Sequence, residues 1–252
     1  APAQPAAEEL PSALADKVSA IQAQGGRKLK GLYSGGTLAA EAAMLLKDAL
    51  GGVDESSHAE GIMLQLDGNE IIDLGDDVYT RGKPHPMIDP RTRADMLIEA
   101  AGQPETAIIL FDVVLGYGSN DDMAGAMAEA IAKAKAKNPG KETLYIASVC
   151  GTDQDPQNYQ EQIDTLTKAG VVVAASNAQA VRLAVSAAKH LADVRPAAPV
   201  AELLQGKPRV INMGLRSFAE TCEKYGGQVV QFDWTPAAGG NARLAGLLSK
   251  LK

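Results

Sequence analysis

The sequence predicts an α/β fold, a doubly wound parallel sheet followed by a small C-terminal βαβ extension. From Leu29 onward, short apolar runs alternate with longer segments of helical periodicity, as in strands joined by helices. The apolar runs show no apolar–polar alternation, which is typical of parallel strands covered on both faces. The chain has 252 residues, 46% of them hydrophobic, which is enough for one large domain or one domain with a smaller appendage.

The first 28 residues differ in composition from the rest, being rich in Ala, Pro, Gln and Glu. Their composition predicts a tail or, in our preferred interpretation, an interdomain linker, which would make this chain the downstream part of a larger protein. A short amphipathic helix over residues 8–23 is also compatible with the sequence. The apolar residues at helical spacing are Leu10, Leu14, Val18 and Ile21.

The main domain is predicted over residues 29–195, with five strands. The strand runs are Leu29–Tyr33, Glu70–Leu74, Ala107–Val114, Leu144–Val149 and Val171–Ala175. Helix-start signals follow several runs, for example Asp89-Pro90, where a capping carboxylate precedes a proline at the first helical position.

The βαβ extension is predicted over residues 200–252. Two strands, Arg209–Met213 and Gln228–Phe232, flank the helix Arg216–Tyr225. Because this unit is too small to stand alone, we expect it to add strands to the main sheet or to dock on a partner.

Composition and charge exclude several classes of function. The formal net charge of −7 and the lack of a basic stripe argue against nucleic-acid binding. No apolar run is long enough to span a bilayer, so no membrane association is expected. The two cysteines lie far apart without metal-ligand spacing, which predicts a reducing cytoplasmic location and no metal site.

Ligands of doubly wound sheets bind beyond the carboxyl ends of the strands, so the loops there contain the candidate binding residues. These residues are Ser34, Gly35, Gly36 and Thr37 after the first strand, Gly116, Gly118 and Asn120 after the third, Gly151 and Thr152 after the fourth, and Ser176 and Asn177 after the fifth.

The first loop is the most informative. Its two glycines let the backbone approach a ligand, and the free N–H groups of the following helix form an anion site. The loop is neither a P-loop nor a dinucleotide fingerprint. A tight turn with a threonine cap is the alternative.

Three residues are candidates for catalysis: Asp112, His85 and Arg81, the last as a source of positive charge. Asp112 lies inside an apolar run, where a carboxylate must be hydrogen-bonded or stand at the mouth of the strand. His85 lies between two prolines near Arg81 and is either an acid–base group or an ordinary exposed loop residue. Cys150 is interpreted as a buried apolar residue rather than a reactive thiol.

With these motifs, residues 29–245 resemble the C-terminal half of FdrA-like proteins of the succinyl-CoA synthetase superfamily. The segments that carry the resemblance are Gly31–Leu38, Ile72–Asp77, Gly82–Pro90, Asp112–Gly118, Ser148–Thr152, Asp155–Gln157, Ser176–Ala178, Asn212–Leu215 and Asp233–Gly240.

The resemblance implies a flavodoxin-like ligase domain in which Ser34, Gly35, Gly36 and Thr37 cradle a phosphate. It also implies carbamoyl transfer between oxamate and phosphate, with phosphate or carbamoyl phosphate as the ligand. CoA or a nucleotide would bind only through other domains, in an oligomer with an upstream CoA-binding half or companion subunits. The superfamily's phosphorylated histidine is missing after the fourth strand, where residues 151–159 contain no histidine.

Two other functions remain compatible with the sequence. One is an acyl-CoA synthetase subunit that uses another phosphate carrier, such as His85. The other is a non-catalytic scaffold for companion subunits, with Trp234–Ala238 as an interface anchor or as ordinary packing.

Overall fold

The computed structural model of the chain describes residues 10–192 and 209–232. Contacts divide the chain into two units, Ala1–Val194 and Arg195–Lys252. The segment Trp234–Ala238, predicted above as an interface anchor, lies outside the described residues. No helix within the described ranges combines the length and apolarity needed to cross a membrane.

A six-stranded sheet in the order β2-β3-β1-β4-β5-β6 forms the centre of the first unit. Its strands are β1 (Lys28–Tyr33), β2 (Ile62–Leu66), β3 (Asn69–Asp73), β4 (Thr106–Val114), β5 (Leu144–Cys150) and β6 (Val171–Ala174). All neighbours pair in parallel except β2, which is antiparallel to β3. Without β2, the order is the 2-1-3-4-5 arrangement of flavodoxin-like folds. The predicted fold class is therefore confirmed.

Each of the five predicted strands is present, with both ends within one residue of the prediction. The sequence analysis missed β2, which forms a hairpin with β3 at the edge of the sheet. Asp67 and Gly68 make the turn, both with positive φ, as expected for a two-residue hairpin loop with an Asp-Gly sequence.

Helices cover both faces of the sheet. They are α1 (Ser12–Ala23), α2 (Gly36–Leu50), α3 (Asp77–Thr80), α4 (Arg91–Gly102), α5 (Met123–Lys137), α6 (Tyr159–Lys168) and α7 (Asn177–Ala192). One core cluster contains residues of α1, α2 and α7 with one face of the strands, and a second contains residues of α4, α5 and α6 with the other. This two-sided cover is what makes the sheet doubly wound.

Helix α1 corrects the interpretation of the first 28 residues. Val18 and Ile21 are fully buried in the same core cluster as α2 and α7. Residues 12–28 are thus part of the folded unit and differ from the linker or tail that their composition predicted. The helical spacing of their apolar residues was the better signal.

The second unit contains β7 (Arg209–Asn212), α8 (Arg216–Lys224) and β8 (Gln228–Gln231). Its two strands are parallel and in register, with Ile211 beside Val230. Among the described residues, these two strands pair with each other as a two-stranded sheet. Ile211 and Val230 are both exposed.

Candidate functional site

The candidate site lies where the strand order reverses, between β1 and β4. From β1 the chain continues into α2 on one face of the sheet, and from β4 it continues into α5 on the other. The loops at the carboxyl ends of these two strands therefore diverge and leave a crevice, which is the usual ligand position in an open α/β sheet.

A row of polar residues crosses the sheet at this edge. Tyr33 of β1 pairs in register with Asp73 of β3, and Asp112 of β4 pairs with Ser148 of β5. In-register residues of parallel strands share a face of the sheet. Tyr33 belongs to the core cluster of α1, α2 and α7, so this row lies on the α2 face.

Asp112 anchors the turn between β1 and α2. Its carboxylate accepts hydrogen bonds from the backbone N–H of Ser34 at 2.8 Å and from the Ser34 hydroxyl, and it pairs with Arg93 Nη1 at 2.8 Å. All three residues are buried. Because both Ser34 donors are used here, Ser34 anchors the turn and does not offer these groups to an anion as predicted. Asp112 likewise positions the turn.

Three buried polar atoms beside Asp112 lack a hydrogen-bond partner among the described residues: Arg93 Nε, Arg93 Nη2 and Ser148 Oγ. A buried polar group without a partner costs about 1–3 kcal/mol, so a water or ligand that bonded to these atoms would be stabilised. Burial lowers the pKa of Arg93, and the charge of Asp112 opposes this shift. The guanidinium stays charged in any protein environment.

The N-terminus of α2 adds free backbone donors. Gly35 is the N-cap residue, and no side chain caps the helix. The threonine cap considered above is therefore not formed. Within the described part of the chain, the amides of Gly36, Thr37 and Leu38 have no acceptor. Gly35 and Gly36 are half-buried and Thr37 is exposed, so a ligand can reach these amides from solvent.

Asp73 and His85 meet beside the same turn. Asp73 Oδ1 accepts the Gly75 N–H at 2.8 Å. A Cβ added at Gly75 would lie 2.8 Å from His85 Nε2, 2.9 Å from the Ser34 carbonyl and 3.0 Å from Asp73 Oδ1. Only glycine allows this close approach. Burial raises the pKa of Asp73, while the Gly75 N–H and the charge of His85 oppose the rise.

The His85 ring is held by the backbone. Its Nδ1 lies 3.2 Å from the Met87 amide and accepts that hydrogen bond, so the neutral ring carries its proton on Nε2. Nε2 is the atom that faces Gly75. Arg81, the third predicted catalytic residue, is exposed in the same connection.

Several predicted binding residues use their donors to hold the loops together. The Gly116 N–H donates to Gln157 Oε1 at 3.0 Å, and the Asn120 side chain donates to the Ile88 carbonyl at 2.9 Å. The backbone and hydroxyl of Thr152 both donate to Asp155. Gly118 has open space around it.

The loops after β5 and β6 are also used internally. A Cβ at Gly151 would meet the Leu115 side chain at 2.7 Å, so this glycine serves packing. Asn177 accepts a hydrogen bond from the Tyr33 hydroxyl at 3.0 Å and donates to Glu41 at 2.8 Å, which joins α7 to α2. The Ser176 hydroxyl accepts the Gln179 N–H at the start of α7. Cys150 is exposed, contrary to the buried position expected.

Sequence reasoning missed Arg93, Asp73 and Ser148. A buried carboxylate such as Asp112 needs a hydrogen-bonded or positively charged partner, and this was the signal for an arginine. The sequence contains several arginines and does not indicate which of them is the partner. Asp73 and Ser148 read as ordinary strand residues, and only the order of the strands places them beside Asp112. In the described ranges, no group of three or more His, Cys, Asp or Glu side chains is placed to hold a metal ion.

Comparison with known proteins gives the family of the chain. The model of the CoA-ligase family matches residues 32–187. The uncharacterized protein YahF of Escherichia coli (strain K12) is 40% identical over 171 residues, which cover 65% of this chain and 33% of YahF. The chain thus spans about a third of the length of this curated relative.

Among solved structures, PH0766 from Pyrococcus horikoshii OT3 matches 71% of this chain and 40% of its own, with a TM-score of 0.43 and 11% identity. The family match is the informative one, because it covers more than half of the chain and contains the α2 N-terminus, Asp73, Asp112 and Ser148. The chain belongs to the CoA-ligase family.

Proposed function

We propose that this chain, a ligase domain of the succinyl-CoA synthetase type, is part of an FdrA-like protein and binds the phosphate group of an acyl or carbamoyl phosphate at the N-terminus of α2. One observation carries the proposal. The unpaired amides of Gly36, Thr37 and Leu38 follow a turn that Asp112 ties to Arg93 of α4. Two guanidinium nitrogens of this buried arginine have no partner among the described residues. We call these amides together with the Arg93 guanidinium the α2 seat.

The chemistry of the α2 seat favours an oxyanion. A helix N-terminus carries roughly half a positive charge and presents N–H groups in one direction. Arginine adds charge-assisted hydrogen bonds of planar geometry, which suit phosphate and carboxylate oxygens. In a site partly shielded from water, such fixed donors stabilise charge that develops on a leaving phosphate.

Carbamoyl transfer between oxamate and phosphate agrees with these groups. The amide nitrogen of oxamate bonds to the carbamoyl carbon and releases a proton to solvent. The bond between that carbon and the phosphate oxygen breaks, and the phosphate leaves with the electron pair. The reaction needs donors for the departing oxyanion and no phosphorylated histidine, and residues 151–159 contain none. An upstream CoA-binding half or companion subunits would bind the acceptor, oxamate. The greater length of YahF is in keeping with such additional domains.

An acyl-CoA synthetase subunit is the second candidate, and the position of His85 favours it. Nε2 of His85 lies beside the β1–α2 turn, and it can bond to a phosphoryl group once its proton is released to solvent. Incubating the complete assembly with radiolabelled ATP and CoA, followed by a search for acid-labile phosphate, separates the two functions. Label that disappears in His85→Asn supports the synthetase, and no label supports carbamoyl transfer.

A phosphate titration tests the α2 seat directly. A ligand that binds only the folded protein stabilises it, by about 2.7 kcal/mol at a hundred times its Kd. We expect the melting temperature to rise with phosphate at constant ionic strength. Gly36→Asp places a carboxylate among the free amides and should abolish the rise.

Ala40→Asp is the matched control for that titration. It adds the same charge to an exposed position of the same helix, one turn further on, and should keep the phosphate effect. A wild-type protein that phosphate does not stabilise would overturn the proposal. So would an equal phosphate effect in Gly36→Asp.

A further inference from the structure

An acceptor, the Asp73 carboxylate, lies beside the donors of the α2 seat. Asp73 Oδ2 would lie 3.0 Å from a Cβ added at Gly36, so this oxygen faces the first residue of α2. Oδ1 of the same carboxylate accepts the Gly75 N–H, whereas Oδ2 accepts no hydrogen bond from the described residues. Asp112, the other carboxylate of the polar row, has both oxygens engaged by Ser34 and Arg93.

A carboxylate beside an anion site has a definite effect on what binds there. Like charges repel, so Asp73 disfavours an anion that presents only acceptors on this side. A ligand that carries an N–H donor next to its anionic group satisfies Oδ2 instead. A hydrogen bond to a charged acceptor is among the strong ones in proteins.

We propose that Asp73 is the specificity-determining residue of the α2 seat: its Oδ2 accepts a hydrogen bond from the –NH2 group of an amide-bearing anion, so a carbamoyl compound binds more tightly than its methyl isostere. This inference rests on the proposed function and names the substrate class for the same site. The class is a small oxyanion joined to a primary amide or carbamoyl group.

The surrounding groups agree with this assignment of roles. Arg93 and the α2 amides are donors, so they can serve the oxygen atoms of the ligand and not its –NH2 group. His85 presents Nε2–H in its neutral form and is also a donor there. Asp73 Oδ2 is thus a charged acceptor available to an amide at this turn.

Carbamoyl phosphate and acetyl phosphate form the test pair, because they differ by –NH2 against –CH3. Their Kd values are measured by calorimetry on the full chain with freshly prepared ligands. We expect carbamoyl phosphate to bind about tenfold more tightly to the wild type. In Asp73→Asn the amide oxygen can still accept from Gly75, but a donor replaces Oδ2. The ratio should then fall to about one, while inorganic phosphate binds at least as tightly as before.

Asp76→Asn is the matched control. Asp76 is a nearby carboxylate that accepts the Val78 N–H at the start of α3, and its removal should leave the ratio unchanged. Oxamate and pyruvate, an amide and a methyl pair with a carboxylate in place of phosphate, repeat the comparison on the wild type. This second pair keeps the proposal testable if Asp73→Asn does not fold.

The outcomes separate the two proposals. Wild-type protein that binds both phosphate compounds equally, or a preference that Asp73→Asn retains, overturns the role of Asp73 and leaves phosphate binding standing. Wild-type protein that binds none of these anions overturns both.

Discussion

Asp112 joins three groups that are distant in the sequence. Through one carboxylate it holds Ser34, which immediately precedes the N-cap residue of α2, and Arg93, which lies in the first turn of α4. Replacing a buried ion pair with apolar side chains is often neutral for stability, so the net stability from such a pair is small. Its geometric effect here is clear, because it fixes the direction in which the free amides of α2 point.

Separating the members of this pair tests its role. Asp112→Ala leaves a fully buried guanidinium without its counter-charge, so the free energy of unfolding should fall by about 3–5 kcal/mol. The double variant Arg93→Met with Asp112→Leu should recover most of that stability in urea unfolding, yet lose the stabilisation by phosphate.

Lys133→Ala is the control for the buried pair. It removes an ion pair of comparable length, 2.7 Å to Glu129, in which both side chains are more than half exposed. Its effect should stay below about 1 kcal/mol. A double variant no more stable than Asp112→Ala would show that the buried charge is not the source of the loss.

At the level of single residues, the sequence indicated which side chains are buried and hydrogen-bonded better than it indicated which residues they bond to. An aspartate in the apolar run Ala107–Val114 indicated a hydrogen-bonded carboxylate, and the structure has one. Its partner could not be predicted, because Arg93 approaches from a helix on the opposite face of the sheet. Asp73 was missed for a related reason, since its neighbourhood depends on β3 lying next to β1.

The strands and helices follow directly from the chain where burial is complete. The parallel strands are covered on both faces, so their sequences are continuous apolar runs with clear ends. Strand β2 lies at the edge, is partly exposed and carries a glutamine among its apolar residues, so its pattern resembles a loop. The Asp67-Gly68 turn was the signal that could have identified the hairpin.

Asp54 fastens the segment before β2, and its ionisation contributes to stability. It accepts the amides of Ser56 at 3.0 Å and of Gln65, in β2, at 3.2 Å, and lies 3.3 Å from His58 Nε2. The pKa of Asp54 is lowered from 3.8 to about 2, chiefly by a hydrogen bond from the Ser56 side chain and also by these amides and the charge of His58, while burial opposes the shift.

Because the folded-state pKa of Asp54 is below its unfolded value, the stabilisation is complete above about pH 4 and is lost as the pH falls through 2. Asp54→Asn should therefore melt at a lower temperature than the wild type at pH 5 to 7. The difference should shrink between pH 4 and pH 2, as followed by circular dichroism. Asp67→Asn, at a largely exposed position, is the control. A difference that stays constant with pH would contradict the assignment.

At the scale of the whole molecule, the site follows from the order of the strands. The 2-1-3-4-5 order places the reversal between β1 and β4, and this puts the free N-terminus of α2 next to Asp112. The alternation of strands and helices predicted a doubly wound sheet. It does not specify which strands are neighbours, because that depends on packing between residues far apart in the chain.

Helix α1 shows how far the main folded unit extends, and its packing gives a test by mutation. Ile21 is 1% exposed, and the side chain of Gln24, the residue after the helix, forms hydrogen bonds with the backbone of Gly140 and Glu142 beyond α5.

A linker or tail would tolerate any small side chain at position 21. In a packed core, Ile21→Ala leaves a cavity and should lower the free energy of unfolding by about 2–5 kcal/mol in urea, with an unchanged m-value. Ala20→Ser changes the neighbouring, exposed position of the same helix and should cost less than about 0.5 kcal/mol. If the two substitutions lowered the free energy of unfolding equally, α1 would not be packed in the core and residues 12–23 would behave as a tail.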